Sequence, residues 1–385
     1  SAGAAGNAVT TLSVGGGNAS SFSGYNYAYG GNGGSTTTGT SSAGGNATSS
    51  LSIGSTKATT PVNGHVQAHG GTGGQTGSTY TAAGGNATSY ADVSAAYTAT
   101  SQANSYGGTG ATRGNATALS LAVTSGASTT SSASANAYAA GNIANAKAES
   151  LATGNTSLGY NRAYANADGT SGKAEAVSTT NFGANNYARG IAETPVGSTA
   201  TATTQANAAG YGTSLPGVSA RSDGYTFAYV TGAPSAAAVS NMLAGHAPVA
   251  TALVGANVIG GGVMGAIYGT SSAAGASHTF SAKSEFHFDY TGAHALKLGL
   301  LGMNAFNGGF DSLKFTVSNN ATVIYDHTFL TLGDATVFFS NQVLDLGTFT
   351  GNLDLQVAYN LTATASKGAD FSYLVATAPV PEPET

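Results

Sequence analysis

Ala144-Asn145-Ala146-Lys147-Ala148-Glu149-Ser150-Leu151-Ala152 carries a small residue at every second position. Between them stand Asn145, Lys147, Glu149 and Leu151. Ala133, Ala135, Ala137 and Ala139 repeat the pattern, as do Ala163, Ala165 and Ala167, interleaved with Arg162, Tyr164, Asn166 and Asp168. A period of two puts alternate residues on opposite faces of a β-strand, whereas a helix would scatter these alanines around its axis. The expectation is a set of strands with one smooth Ala/Ser face and one polar, Tyr-bearing face. Alanine is a weak strand former, so its use points to a narrow gap between close sheets, where a larger side chain would not fit. Burying alanine stabilises little per residue. Such a stack needs many hydrogen-bonded neighbours, and further copies of the chain are one source of them.

Outward from this stretch, a Gly-Asn turn or a relative of it recurs at Gly6, Gly17, Gly45, Gly85, Gly114, Gly141, Gly154 and Gly183. The spacings read as one unit of about 28 residues with occasional extra pieces of about 12, in the range of repeat architectures. The Gly-Gly and Gly-Asn pairs are expected to be corners with positive φ. Composition agrees with a packed, uncharged material. The 385 residues include 57 Gly, about twice the usual share, and charged residues are 7% against a usual share of about 25%. A Gly/Ser-rich flexible linker is the competing reading of the first half.

There is no Cys, which excludes disulfides and thiolate metal sites. The net charge of −5 divides unevenly. Residues 1–224 hold seven Lys/Arg and six Asp/Glu, and residues 225–385 hold four and ten. Neither half has a basic patch, so no nucleic-acid partner is expected. No apolar run reaches 18 residues, so no membrane span is expected. The start at Ser1-Ala2-Gly3 reads as an exported chain whose signal has been removed.

Residues 225–270 read as a connector with a short helix, started by Pro234 and ended by Gly245. In residues 271–378, Phe280, Ala282, Ser284, Phe286 and Phe288 share one face, and Leu353, Leu355, Val357, Tyr359 and Leu361 share another. With turn signals such as Asn307-Gly308-Gly309, this predicts an antiparallel β-sandwich, jelly-roll-like. The expected fold class is therefore all-β: a β-solenoid-like or stacked-sheet repeat region over residues 1–224, then the sandwich, then a Pro-rich tail at 379–385.

That tail holds Val380, Pro381, Glu382 and Pro383. Val-Pro-Glu-Pro after a β-domain resembles the sorting motif of the PEP-CTERM family, bacterial surface and exopolysaccharide-associated proteins handled by exosortase. The Gly-Gly-Asn-Ala-Thr repeats at 44–48 and 84–88 are similar to those of repeat-bearing members. The family's hydrophobic helix and basic cluster are missing here. The resemblance implies export and a place in a matrix or on the cell surface, and no shared catalytic activity.

Other chemistry is weaker. His65 and His69 would lie about 13 Å apart on a strand, too far for one metal. Asp311, Asp334, Asp345, Asp354 and Asp370 read as turn residues rather than a calcium loop. No Gly-x-Ser-x-Gly elbow is present, and no catalytic residue, cofactor or metal is expected. Seven Asn-x-Ser/Thr sequences occur, at Asn18, Asn46, Asn86, Asn115, Asn155, Asn320 and Asn360. They fit glycan acceptors, turn caps or stacked asparagine ladders. The 12 Tyr between Tyr25 and Tyr211 fit interface anchors or scattered surface groups. The expected function is structural: copies pair through strands into filaments of the extracellular or biofilm matrix. A polysaccharide-binding surface protein is the alternative, and regular Thr arrays for ice binding are lacking.

Overall fold

The computed structural model describes residues 2–17, 19–125, 130–152, 158–180, 186–194, 199–207, 224–232, 234, 236–268, 277–364 and 367–380. Strands account for 64% of the structure, and the chain is all-β. It divides into two compact units. The first comprises Ser1–Leu151, Arg162–Ala176 and Ala192–Ala200, and the second comprises the rest.

The first unit is built from β1 (Ala8–Gly16), β2 (Phe22–Tyr29), β3 (Ala47–Ser55), β4 (Pro61–His69), the short hairpin β5 (Gln75–Thr76) and β6 (Thr79–Tyr80), β7 (Ala87–Ala95), β8 (Thr98–Tyr106), β9 (Ala116–Thr124) and most of β10 (Thr130–Ala152). Strands β1, β3, β7 and β9 pair in parallel, in that order. So do β2, β4, β8 and the first part of β10. Each pairing holds its register across the strand: Ala8 sits beside Ala47, Ala47 beside Ala87, and Ala87 beside Ala116. Subtracting positions gives coils of 39, 40 and 29 residues. The longer coils carry an extension of about eleven residues beyond the strands.

The alternating pattern sets the faces. Ala47, Ser49, Leu51, Ile53, Ala87, Ser89, Ala91 and Val93 are buried, and so are Val62, Val66, Ala99, Ser101 and Ala103 on the facing layer. Buried serines stitch the layers. Ser89 Oγ and Ser105 Oγ lie 2.7 Å apart, and Ser120 donates to Ser101 at 2.8 Å. Each such bond contributes about 1 kcal/mol net. Gly64 leaves room for larger neighbours: a Cβ there would stand 2.5 Å from Val93 Cγ2.

The extensions correct one expectation. The Gly-Gly pairs at 30–31, 44–45, 70–71, 84–85 and 107–108 are not positive-φ corners, and none of them has positive φ. They are straight segments with hydrogen bonds repeating every third residue. Gly30 and Gly33 donate to His69 and Thr72 of the next coil, both at 2.8 Å, while Gly31 and Gly34 donate across the layers to Gly6 and Gly3 at 2.8 and 3.2 Å. One coil on, Gly70 and Gly73 donate to Tyr106 and Thr109, and Gly71 and Gly74 donate to Gly45 and Ser42. A three-residue period is that of a polyproline-II-type segment, which has no internal bonds and must find partners in its neighbours. The segments pack so closely that a Cβ on Gly44, Gly71, Gly84 or Gly107 would lie 1.8–1.9 Å from a neighbouring carbonyl oxygen. Only glycine permits that approach.

Later in the chain follow β11 (Leu158–Thr180), β12 (Asn186–Thr194) and β13 (Thr199–Asn207). The second unit contains β14 (Gly224–Gly232), α1 (Ala236–Met242), α2 (Ala247–Ala252), β15 (Asn257–Tyr268), β16 (His278–Phe288), β17 (Ala293–Phe306), β18 (Ser312–Asn319), β19 (Thr322–Phe329), α3 (Leu332–Phe339), β20 (Gln342–Thr350), β21 (Leu353–Ala363) and β22 (Lys367–Pro379). One antiparallel sheet has the order β14-β15-β22-β17-β20. The other runs β16-β21-β18-β19, with β13 added in parallel to β16. Two strands of the first sheet, β14 and β15, come from the segment expected to be a connector. The helix expected after Pro234 is α1, and Gly245 takes φ +85.

The two sheets face each other through rings. Phe315 lies 5.4 Å from Phe371, Tyr359 5.7 Å from Phe371, and Phe286 6.2 Å from Tyr373. All five are buried. Ring pairs at such offsets add to what their buried area contributes.

Candidate functional site

Among the described residues, the rung formed by β1 and β2 lacks a neighbour on one side. β1 pairs with β3 and β2 with β4, and no described strand covers their other edges. The exposure pattern records the gap. Val14 is 38% exposed, whereas Ile53, its register partner one rung on, is 3% exposed. On the outward face of the same rung Val9 is 74%, Tyr29 61% and Tyr25 60% exposed. The sequence supplies none of the usual protection for a free edge: β1 (AVTTLSVGG) and β2 (FSGYNYAY) contain no charge and no Pro.

The open edge has a direction. Ala8 donates its backbone N–H to Asn46, so alternation turns the N–H groups of Val9, Thr11, Ser13 and Gly15 to the free side. An asparagine ladder runs along the start of the strands with the same sense. Asn46 N donates to Asn7 Oδ1, Asn86 N to Asn46 Oδ1 and Asn115 N to Asn86 Oδ1, each at 2.8 Å, and Ile143 N donates to Asn115 Oδ1 at 3.1 Å. Every side chain in this ladder accepts from the following rung.

An aromatic ladder lies on the outer face of the second layer. Tyr29 stacks on His69 at 4.9 Å and 12°, His69 on Tyr106 at 4.6 Å and 14°, and Tyr106 lies 5.5 Å from Tyr138. His65 packs against the edges of Tyr25 and Tyr27 and meets Asn104 Nδ2 at 3.1 Å. Partial burial pushes both imidazole pKa values below the usual histidine range. The two histidines share the outer face of β4, and among the described residues no three His, Asp or Glu side chains gather into a metal site.

The remaining sequence candidates are scattered. Asn46, Asn86 and Asn115 stand in the ladder. Asn320 takes φ +48 in the β18–β19 turn, and Asn360 accepts from Ser281 on β16. Asn18, Asn155, Pro381, Glu382 and Pro383 lie outside the described residues, and Val380 donates its N–H to Ala293 at 3.1 Å. The aspartates serve local structure. Asp311 pairs with Lys367, which holds its carboxyl below the usual range. Asp334 bonds to Thr331 at the start of α3, Asp345 accepts from Gly347, and buried Asp370 accepts from Asn304. His287 and Asp354 form an exposed pair. A surface depression of about 370 Å³ at the ends of β1, β3 and β7 is lined by Gly, Ser, Thr, Ala and Val, with no titratable side chain.

Sequence reasoning missed the rung and the direction of its ladders, because parallel register is a long-range property. The recurrence of Gly-Asn-Ala-Thr at 45–48, 85–88 and 114–117 was the signal that these residues would stand side by side. No helix among the described residues is long and apolar enough to cross a membrane. No known family model and no curated protein matches the chain.

Proposed function

We propose that this chain is an exported structural subunit of a bacterial surface or extracellular matrix, and that copies assemble into filaments by strand pairing. The observation that carries this reading is the uncovered, uncharged first rung, with its outward N–H groups and half-empty core column. Strand addition supplies main-chain hydrogen bonds and asks little of sequence, and a free flat edge is a ready template for it. The parallel in-register coils support reading the first unit as a β-solenoid. The orders β15-β22-β17-β20 and β16-β21-β18-β19 are those of a jelly-roll sandwich, which supports that reading of the second. Export rests on the Val380–Pro383 resemblance.

Polysaccharide binding has less support. Rings that grip a sugar need a free face, and in the stack His69 is covered on both sides, by Tyr29 and Tyr106, which leaves the exposed Tyr25 and Tyr29 to offer one. Light scattering and electron microscopy of purified chain test the main reading. Large particles that grow with concentration are expected. Thr11→Pro removes one outward donor and leaves the β1–β3 bonds in place, so it should suppress the particles while melting as the parent does. A parent chain that stays monomeric at every concentration would defeat the proposal.

A further inference from the structure

The second unit also has two free strand edges, joined by α3, whose Phe339 is buried between the sheets against Phe315 and Phe371. β19 is the last strand of one sheet and β20 the last of the other, and no described strand covers the far edge of either. Of the six exposed large apolar residues described in this unit, four lie here: Val323 and Ile324 on β19, Leu330 beyond it and Val337 on α3. In the first unit, Val9, Val14, Tyr25, Tyr27 and Tyr29 collect on the open rung in the same way. The strand lengths match. All four edge strands have eight or nine residues, so β1 can run along β19 and β2 along β20. The opposite side of the β16 sheet shows what such an edge accepts. There β13, an uncharged Thr/Ala strand of repeat composition, pairs in parallel with β16 from Thr201 beside Ser281 to Asn207 beside His287.

From these features we infer that the partner of the first rung is the β19/β20 end of a second copy. The two layers of one chain then continue into the two sheets of the next. The contact is heterologous, because each copy uses one surface to give and a different one to receive, and such a contact propagates into an open filament wherever the rotation between copies does not close a ring. A two-fold pairing of β1 with β1 would instead run the strands antiparallel, reverse the asparagine ladder across the junction, and close at a dimer. The assignment rests on the structural reading above and names its partner surface.

The chain has no Cys, so introduced thiols report cleanly. Val9→Cys and Val323→Cys are made separately and together, and treated with a short bis-maleimide under assembling conditions. Ser13→Cys with Thr328→Cys gives a second pair of exposed positions, and circular dichroism melts check that each variant folds. The expected result is a cross-linked dimer when the two single variants are mixed, none from either alone, and a multimer ladder from the double variant. Val9→Cys cross-linking to itself would overturn the inference in favour of a two-fold contact. Filaments visible by microscopy without any Val9–Val323 product would overturn it too, while leaving the structural reading standing. Absence of filaments altogether would remove both.

Discussion

The two units hold their layers apart by different means. In the parallel unit glycine segments beyond the strands meet at distances that exclude a Cβ, and between the strands small residues, mostly alanine and serine, pack with a few aliphatic ones such as Leu51, Ile53, Val62, Val66 and Val93. In the antiparallel unit the spacing is set by rings, with Phe371 touching Phe315, Phe339, Tyr359 and Tyr373. The first design gains its stability mainly from hydrogen bonds to a neighbour, so its terminal rung is incomplete. The second closes over a core of its own.

The sharpest way to break this contrast is to exchange the kind of damage. Phe371→Ala removes a buried ring on which four others rest, and should cost about 3–5 kcal/mol. Urea unfolding followed by hydrogen exchange should show the loss confined to the second unit. Next in size is Gly85→Ala, whose Cβ would lie 2.0 Å from Gly45 O. Overpacking of this kind costs about 1–3 kcal/mol or more, read as lost protection in β3, β7 and their extensions. Gly15→Ala, where a Cβ meets nothing within 4 Å, is the control and should leave the midpoint unchanged.

A smaller effect is expected from Asn86→Ala. It removes the acceptor for Asn115 N at an exposed site that water can partly refill, so about 1 kcal/mol is expected. Thermal melts would measure it, and a loss well above that would mean the ladder couples the rungs cooperatively. The smallest effect is on pH dependence. His65 and His69 have lowered folded pKa values, so below the unfolded value of 6.5 the unfolded chain binds more protons. Their contribution is fully present above that pH and is lost as pH falls toward the folded values. Both side chains are only partly buried, so the drop should be slight. Asp92, whose pKa burial raises, acts with the opposite sign at lower pH. Urea midpoints at pH 7.5 and 5.5 should differ less in a His65→Gln, His69→Gln chain than in the parent.

The strand faces were legible in the sequence because they depend only on a period of two: Ala144, Ala146 and Ala148 are buried as that period requires. The alternating Phe and Leu residues of β16 and β21 were legible for the same reason. The glycine segments were misread because a Gly-Gly pair fits two physical needs, a positive φ or a close approach. The distinguishing mark was the spacing in Gly30-Gly31-Asn32-Gly33-Gly34 and Gly70-Gly71-Thr72-Gly73-Gly74, a period of three in a region otherwise read in twos. The open rung left no local mark at all. Val14 and Ile53 look alike in sequence, and only the absence of a neighbour above β1 separates them.

Cryo-electron microscopy of the assembled, unmodified chain tests the incomplete rung most directly. The expected image is a polar filament in which copies repeat head to tail and a strand of the next subunit lies about 4.8 Å beyond β1. A population of monomers, or of closed dimers related by a two-fold axis, would contradict it.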